Sequence, residues 1–257
     1  MKVVRAQVGD AIRYGVLSGN SVTVWSDAPW KGGAATAEVV PASEARLLAP
    51  CQPGKVVATA INFPGATGLA AGQKEPLVFL KSTSCIIGPE ETIVSPFDDT
   101  RVWGECELGV VVGKRLTRCT REEAAAAVFG YLIGNDVSAE NIHDWDHHLP
   151  RSKAVDTFCA LGPWIDTDFD PNGKLIRGFH NDILIRQAYA HERLWAEPDL
   201  LVWLSSWMTL EPGDVILTGA PARLRDRLYL STGDTFTCLI DGLGELKNGF
   251  RNLHDAA

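Results

Sequence analysis

Two glutamates two positions apart, Glu105 and Glu107, stand directly before the apolar run at residues 108–112. A third acid, Asp136, closes another apolar run in Ile133-Gly134-Asn135-Asp136-Val137-Ser138. In an extended chain, positions i and i+2 face the same side, so both glutamates aim at one place. Like charges so placed repel, and burial raises the cost, unless a cation or a shared proton lies between them. Three carboxylates leave room for water and substrate oxygens around a six-coordinate ion, the preference of Mg²⁺ or Mn²⁺. Spacing alone leaves a second reading open, in which Glu105 and Glu107 are solvated charges at a strand edge and Asp136 is a turn residue.

The elements that position these acids are mostly strands. Strand-like runs occur at residues 56–61, 77–80, 108–112 and 215–218. The clearest helix spans residues 120–129, with Thr120 as N-cap, Glu123 completing a capping box and Gly130 ending it. A second, at residues 198–208, carries Leu201, Leu204 and Trp207 on one face. Ahead of all this, Val3 to Val8, Tyr14 to Leu17 and Val22 to Trp25 alternate around a Gly19-Asn20 turn, the pattern of a small β meander. Pro50 and Pro53-Gly54 mark a boundary. The expected organisation is a small N-terminal β domain over residues 1–54 and a larger domain over 55–257, mixed β with helices.

Composition narrows the partners. The 257 residues are 46% hydrophobic and 22% charged, which suits a globular chain with a real core. Lys and Arg number 24 against 32 Asp and Glu, a net charge of −8, the wrong sign for binding nucleic acid backbones. The opening residues meet charge and Gly every few positions, so no apolar stretch suits a signal peptide or a membrane span of about 20 residues, and the chain reads as cytoplasmic. Cys51, Cys85, Cys106, Cys119, Cys159 and Cys238 are scattered without metal or disulfide spacing and read as small buried hydrophobes. The run from Gly109 to Lys114 lacks phosphate-loop spacing, and Asp168 to Gly173 reads as a turn, not a calcium loop. Trp203 and Trp207, at helical spacing, read as packing residues.

Taken in order, a set of segments resembles the fumarylacetoacetate hydrolase superfamily. They are Pro76-Leu77-Val78-Phe79-Leu80-Lys81, Gly88-Pro89, Glu105-Cys106-Glu107, Gly130-Tyr131 and Asn135-Asp136-Val137-Ser138. Arg151-Ser152-Lys153, Leu161-Gly162-Pro163-Trp164, Glu211-Pro212-Gly213-Asp214 and Thr218-Gly219-Ala220-Pro221 continue the match, which covers nearly the whole chain from about residue 55. The resemblance implies a mixed β-roll for the larger domain, usually a homodimer, and a divalent metal on Glu105, Glu107 and Asp136. It places Lys153 beside the substrate, where a cation stabilises developing negative charge. It also implies that a 2-oxo acid chelates the metal through its carboxylate and keto oxygens, so that loss of a proton, CO₂ or an acyl group leaves a metal-bound enolate. Members of the family differ in using that enolate for C–C hydrolysis, decarboxylation or isomerisation of hydroxymuconate-like dienes.

The chain departs from the family at telling points. Hydrolytic members follow the first strand with an Asn-aromatic pair, then a His and a Glu three residues apart that activate water beneath a lid. Here Asn62-Phe63 is followed by Ala66 and Leu69 at the dyad positions, and neither accepts a proton. The loss of such general-base help costs on the order of 10² to 10⁴ in rate. The Pro64-Gly65 composition also argues against a short lid helix there.

After Asp136, Glu140 and His143 stand near where the family has a substrate-holding Arg and Gln. Facing the cavity, Glu140 would repel a second substrate carboxylate and suit a hydroxyl, an amine or a neutral tail; facing solvent, it would do neither. His143, with His147 and His148 close by, is the candidate replacement base. Thr218 and Gly219 remain candidate substrate contacts, although Ala220 removes the second hydroxyl of the family's Thr-Gly-Thr-Pro. Lys81 is placed either at the site mouth or on the surface. The leading expectation is a Mg²⁺- or Mn²⁺-dependent enzyme acting on a small-molecule 2-oxo or 2-hydroxydienoic acid, as isomerase, tautomerase or decarboxylase. C–C hydrolysis with His143 as base is the alternative, and a non-catalytic metal- or ligand-binding paralogue is the reading from another class.

Overall fold

The computed structural model describes residues 1–66, 73–140 and 148–255. Five strands open the chain: β1 (Lys2–Val8), β2 (Ala11–Ser18), β3 (Ser21–Trp25), β4 (Ala35–Pro41) and β5 (Ala45–Leu48). Then come β6 (Val56–Ala60), β7 (Leu77–Lys81), β8 (Ile86–Ile87), β9 (Ile93–Ser95), β10 (Val102–Trp103) and β11 (Cys106–Val112). Helix α1 (Arg121–Ala126) leads into β12 (Val128–Asp136) and β13 (Ser138–Ala139), and α2 (Pro150–Lys153) precedes β14 (Cys159–Asp166), β15 (Leu175–His180) and β16 (Ile183–Tyr189). Helix α3 (Asp199–Ser205), β17 (Val215–Leu217), β18 (Thr235–Ile240) and β19 (Gly244–Asn252) complete the chain. Strands thus predominate over helices, as the sequence leads one to expect.

Among the described residues one large sheet runs in the order β4-β3-β2-β1-β14-β12-β11-β17-β6-β7, with β5 and β8 attached at β1 and β14. A second sheet, β16-β15-β18-β19-β9, packs against it, and Cys106, Leu108, Ile133, Phe236 and Leu246 belong to the core between them. On another part of the large sheet, Val110, Val112 and Ile216 meet Leu200, Leu201 and Leu204 of α3 and Ala124 of α1. The N-terminal meander joins the large sheet through Lys2↔Asp166 and Val3↔Ile165, so it continues the sheet that carries the acids. No helix among the described residues is long and apolar enough to cross a membrane.

Two expectations about helices need correction. Thr120 caps α1 and forms the capping box with Glu123, but the helix ends at Ala126, well before Gly130. Val128 and Phe129 favour extended backbone, and Val128 already pairs with Val112 of β11. Helix α3 buries Leu201 and Leu204, whereas Trp207 lies beyond its end and is 54% exposed, meeting Trp203 edge to face at 5.4 Å.

Sheet directions decide where the chemistry falls. Strands β6 and β17 are parallel, β11 is antiparallel to β17, and β12 is antiparallel to β11. The C-terminal ends of β6, β17 and β12 therefore share one edge with the N-terminal end of β11. That edge carries Thr59, Glu105, Glu107, Asp136 and Gly219.

Candidate active site

At this edge a cavity of about 150 Å³ is lined by Glu105, Glu107 and Asp136, together with Lys153, Arg186, Arg223 and Arg227. Thr59, Ile61, Ala66 and Phe79 complete much of its wall. The two glutamates face it together, while Cys106 between them turns into the inter-sheet core, the result expected of an i, i+2 pair on an extended chain. Asp136 is brought opposite by the β11/β12 ladder, where its N–H donates to the Glu105 carbonyl over 2.9 Å.

Cations compensate these acids unequally. Lys153 Nζ donates to Glu105 Oε2 at 3.0 Å and to Asp136 Oδ2 at 2.5 Å, and also to Ser138 Oγ. Arg186 Nη2 donates to Glu105 Oε1 at 2.6 Å. Burial favours the neutral form of Glu105, but the charges of Lys153 and Arg186 outweigh it and bring its pKa down to about 2. The Lys153 ammonium, opposed by burial but held by Asp136 and Glu105, titrates above the ordinary lysine range and is charged at neutral pH.

Glu107 differs from the other two acids. The Gly219 N–H donates to its Oε2 at 2.7 Å, but burial first, and then the charges of Asp136 and Glu105, push its carboxyl well above the usual carboxylate range. A hard divalent cation suits this donor set: three oxygen-bearing acids, one of which, Glu107, has no matching ammonium and is pushed toward its neutral form until a cation compensates it. As the side chains stand, no three His, Cys, Asp or Glu among the described residues close around a single point, and the Lys153 ammonium lies between Glu105 and Asp136.

The other expected site residues lie elsewhere. Lys81 is fully buried behind Asp136, donating to Asp136 Oδ1 and to the Val137 carbonyl, so it is neither at the mouth nor on the surface. Its ammonium satisfies a carboxylate that would otherwise be buried against Lys153 alone. Thr218 Oγ1 donates to the Leu108 carbonyl at 2.8 Å and thereby ties β17 to β11, while Gly219 acts through Glu107. Glu140 pairs with Arg101 at the surface and does not line the cavity. Ala66 does line it. Leu69 and His143 lie outside the described residues.

Sequence reasoning missed the arginine wall. Arg186 follows an ordinary strand pattern and gives no signal, but Arg223-Leu224-Arg225-Asp226-Arg227 is a dense basic run in an acidic chain and could have been singled out. It also missed Asn62 as a tie within the wall. This fully buried side chain donates to the carbonyls of Trp195 and Thr218, both at 2.7 Å, and accepts from the Trp195 N–H at 2.8 Å. Beside it, Ile61 lines the cavity with φ of 56°, a left-handed conformation that β-branched residues rarely adopt and that surrounding contacts must hold.

The family model described as fumarylacetoacetate (FAA) hydrolase C-terminal matches residues 55–251, and one described as Rv2993c-like, N-terminal matches residues 1–50. A crystal structure of 5-carboxymethyl-2-hydroxymuconate delta-isomerase from Mycobacterium smegmatis superposes with a TM-score of 0.89 at 34% identity, covering 98% of this chain and 100% of its own. Oxaloacetate tautomerase FAHD2B, mitochondrial, of Bos taurus is 34% identical over 225 residues, 82% of this chain and 71% of its own. A structure of maleylpyruvate hydrolase from Sphingobium sp. SYK-6 in complex with manganese(II) ion and pyruvate matches with a TM-score of 0.78 at 26% identity, covering 98% and 99% of the two chains. The fold that the sequence resemblance implied is the fold these neighbours share.

Proposed function

The chain belongs to the fumarylacetoacetate hydrolase family, and from that premise we propose that it is a divalent-cation-dependent isomerase or tautomerase of a 2-oxo acid. Its work is to move a proton at the carbon next to the keto group. When held by Glu105, Glu107 and Asp136, Mg²⁺ or Mn²⁺ supplies a Lewis acid for the keto and carboxylate oxygens of the substrate. The chain's own residues do the rest. Gly219 orients the Glu107 carboxylate, and Lys81 holds Asp136 in place. Lys153, charged at neutral pH, offers an N–H to the negative charge that grows on the substrate as the proton passes to solvent water, which also returns a proton to the product. Arg186 holds Glu105 from the opposite side.

The observation that carries this reading over hydrolysis is Ala66 on the cavity wall. Cleavage of a C–C bond needs a positioned base to deprotonate water, and a methyl group does not accept a proton. Proton transfer next to a polarised keto group needs no activated water. Among the relatives, the names of the mycobacterial isomerase and the bovine tautomerase point the same way.

The test is proton NMR in D₂O with Mg²⁺ or Mn²⁺, using oxaloacetate, an acylpyruvate and a 2-hydroxymuconate-type diene, with EDTA and metal-only controls. The proposal expects enzyme-dependent entry of deuterium next to the keto group, abolished by EDTA, without cleavage into two acids. Metal-dependent cleavage would overturn it and point to a base outside the described residues, with His143 first in line.

A further inference from the structure

The wall of the cavity is not charged throughout. Among the described residues that line it, Ile61, Phe79 and Leu149 are the only large apolar side chains, and the four other apolar residues are alanines. These three therefore set the shape of the uncharged part. Phe79 lies against the Lys153 ammonium, 4.8 Å from its ring centroid.

Ile61 and Leu149 share a different feature. Both are half-buried, and both have left-handed backbone, with φ of 56° and 61°. A bulky side chain in that region crowds its own carbonyl, whereas glycine or asparagine adopts it readily. Neighbouring structure holds each residue there. Ile61 lies between the end of β6 and Asn62, whose side chain is tied to Trp195 and Thr218 and whose carbonyl accepts from the Leu194 N–H at 2.9 Å. Leu149 is the N-cap of α2, and its carbonyl accepts from the N–H groups of Ser152 at 3.1 Å and Lys153 at 2.9 Å. Neither side chain belongs to a hydrophobic cluster of the core, so core packing does not offset the strain. What both side chains meet is the cavity. Strain kept at two cavity-lining positions points to a ligand that these side chains touch.

We propose that Ile61 and Leu149 are specificity-determining residues, two apolar walls that hold the carbon chain of a short 2-oxo acid beyond its keto carbon and exclude longer chains. This rests on the reading of the cavity as a 2-oxo acid site. With the keto and carboxylate oxygens taken up among the charged groups, the carbon chain is left to the apolar wall, where each methylene in contact is removed from water. The preference for short chains follows from the space. It measures about 150 Å³ with both side chains in place, and glycine at either position would take a butyl group out of its wall.

Calorimetric binding with Mn²⁺ present, against metal-only blanks, tests the proposal with oxaloacetate, acetylpyruvate, butanoylpyruvate and hexanoylpyruvate. The wild type should bind the tightest of the shorter acids at least about 10-fold better than hexanoylpyruvate, the scale on which an apolar pocket discriminates chain length. Leu149→Gly and, separately, Ile61→Gly should close that gap by admitting the long acid. Neither should lower the unfolding temperature appreciably, because relief of the left-handed strain offsets the entropy of glycine. Leu149→Asn and Ile61→Asn, which also accept this backbone, replace a glycine variant that fails to fold, with the same loss of discrimination expected. A wild type that binds all lengths equally overturns the proposal and leaves the 2-oxo acid reading standing. So does a length profile unchanged at either position, above all with a lower unfolding temperature, which is the mark of a purely structural side chain. Failure of all four acids to bind the wild type overturns both.

Discussion

The backbone N–H of Gly219 donates to Oε2 of Glu107 over 2.7 Å, across 112 residues of sequence. The contact depends on glycine, because Gly219 has φ of +90°, and a Cβ there would come within 2.7 Å of the Asn62 Cβ and 3.0 Å of the Thr59 carbonyl oxygen. Gly219→Ala should therefore destabilise the protein by roughly 1–2 kcal/mol for the backbone conformation alone, before any clash. It should also weaken Mn²⁺ binding by about 10- to 100-fold, because the backbone must shift to seat the Cβ and carries the orienting N–H away from Glu107. Thermal unfolding and Mn²⁺ calorimetry read the two effects separately. Destabilisation with unchanged Mn²⁺ affinity would show that the N–H does not position a ligand.

A cation held by Glu105 and Asp136, as proposed, would compete with Lys153 for the same oxygens. With the ammonium 2.5 Å from Asp136 Oδ2 and 3.0 Å from Glu105 Oε2, Lys153→Met leaves buried carboxylates short of a counter-charge. Breaking such a pair costs about 3–5 kcal/mol, so the metal-free variant should unfold at lower urea. Added Mn²⁺ should then stabilise the variant more than the wild type, because the ion no longer has to displace an ammonium. Equal stabilisation of the two proteins would mean that ion and ammonium occupy different places.

The legible parts of this molecule are those fixed by local chemistry. The i, i+2 spacing of Glu105 and Glu107 settles which way both point, and the Thr120 and Glu123 capping box appears as the residue types demand. Asp136 stands out as an acid closing an apolar run, but only a family pattern joins it to Glu105 and Glu107, far away in sequence. What stayed hidden is what topology alone brings together: Lys81 behind Asp136, Asn62 against Thr218, and Arg186 and Arg227 on a wall built from two separate segments. Glu140 misled for the same reason. Its partner Arg101 lies 39 positions earlier, and nothing local announces that the pair points outward.

Acid stability should report on Glu105. Its pKa falls from the ordinary 4.5 to about 2 in the folded chain, where Lys153 and Arg186 overcome the effect of burial. A depressed carboxylate contributes stability above its unfolded pKa and loses it as pH falls through the folded value. The window is thus from about 4.5 down to about 2. Urea unfolding of the metal-free protein across this range should show a steeper loss of stability in the wild type than in Glu105→Gln, which has no proton to take up there. Parallel curves would mean that the Lys153 and Arg186 contacts do not hold in solution.

Asn62 is the tie on which the cavity wall depends, and its chemistry allows a test by the sign of a pH effect. Its amide gives two N–H groups to the carbonyls of Trp195 and Thr218 and receives one N–H from Trp195, all in a fully buried place. Asn62→Ala strands these groups and should cost about 2–4 kcal/mol. Asn62→Asp is the sharper probe, because it keeps the shape but turns donors into acceptors facing two carbonyl oxygens. Burial and that repulsion raise the pKa of the new carboxyl, so the folded state binds a proton that the unfolded state lacks. Stability of Asn62→Asp should therefore rise as pH falls from about 7 to about 5, where the wild type gains nothing from this position. A variant whose stability is flat over that range would show the side chain turned out of the wall, with neither carbonyl facing it.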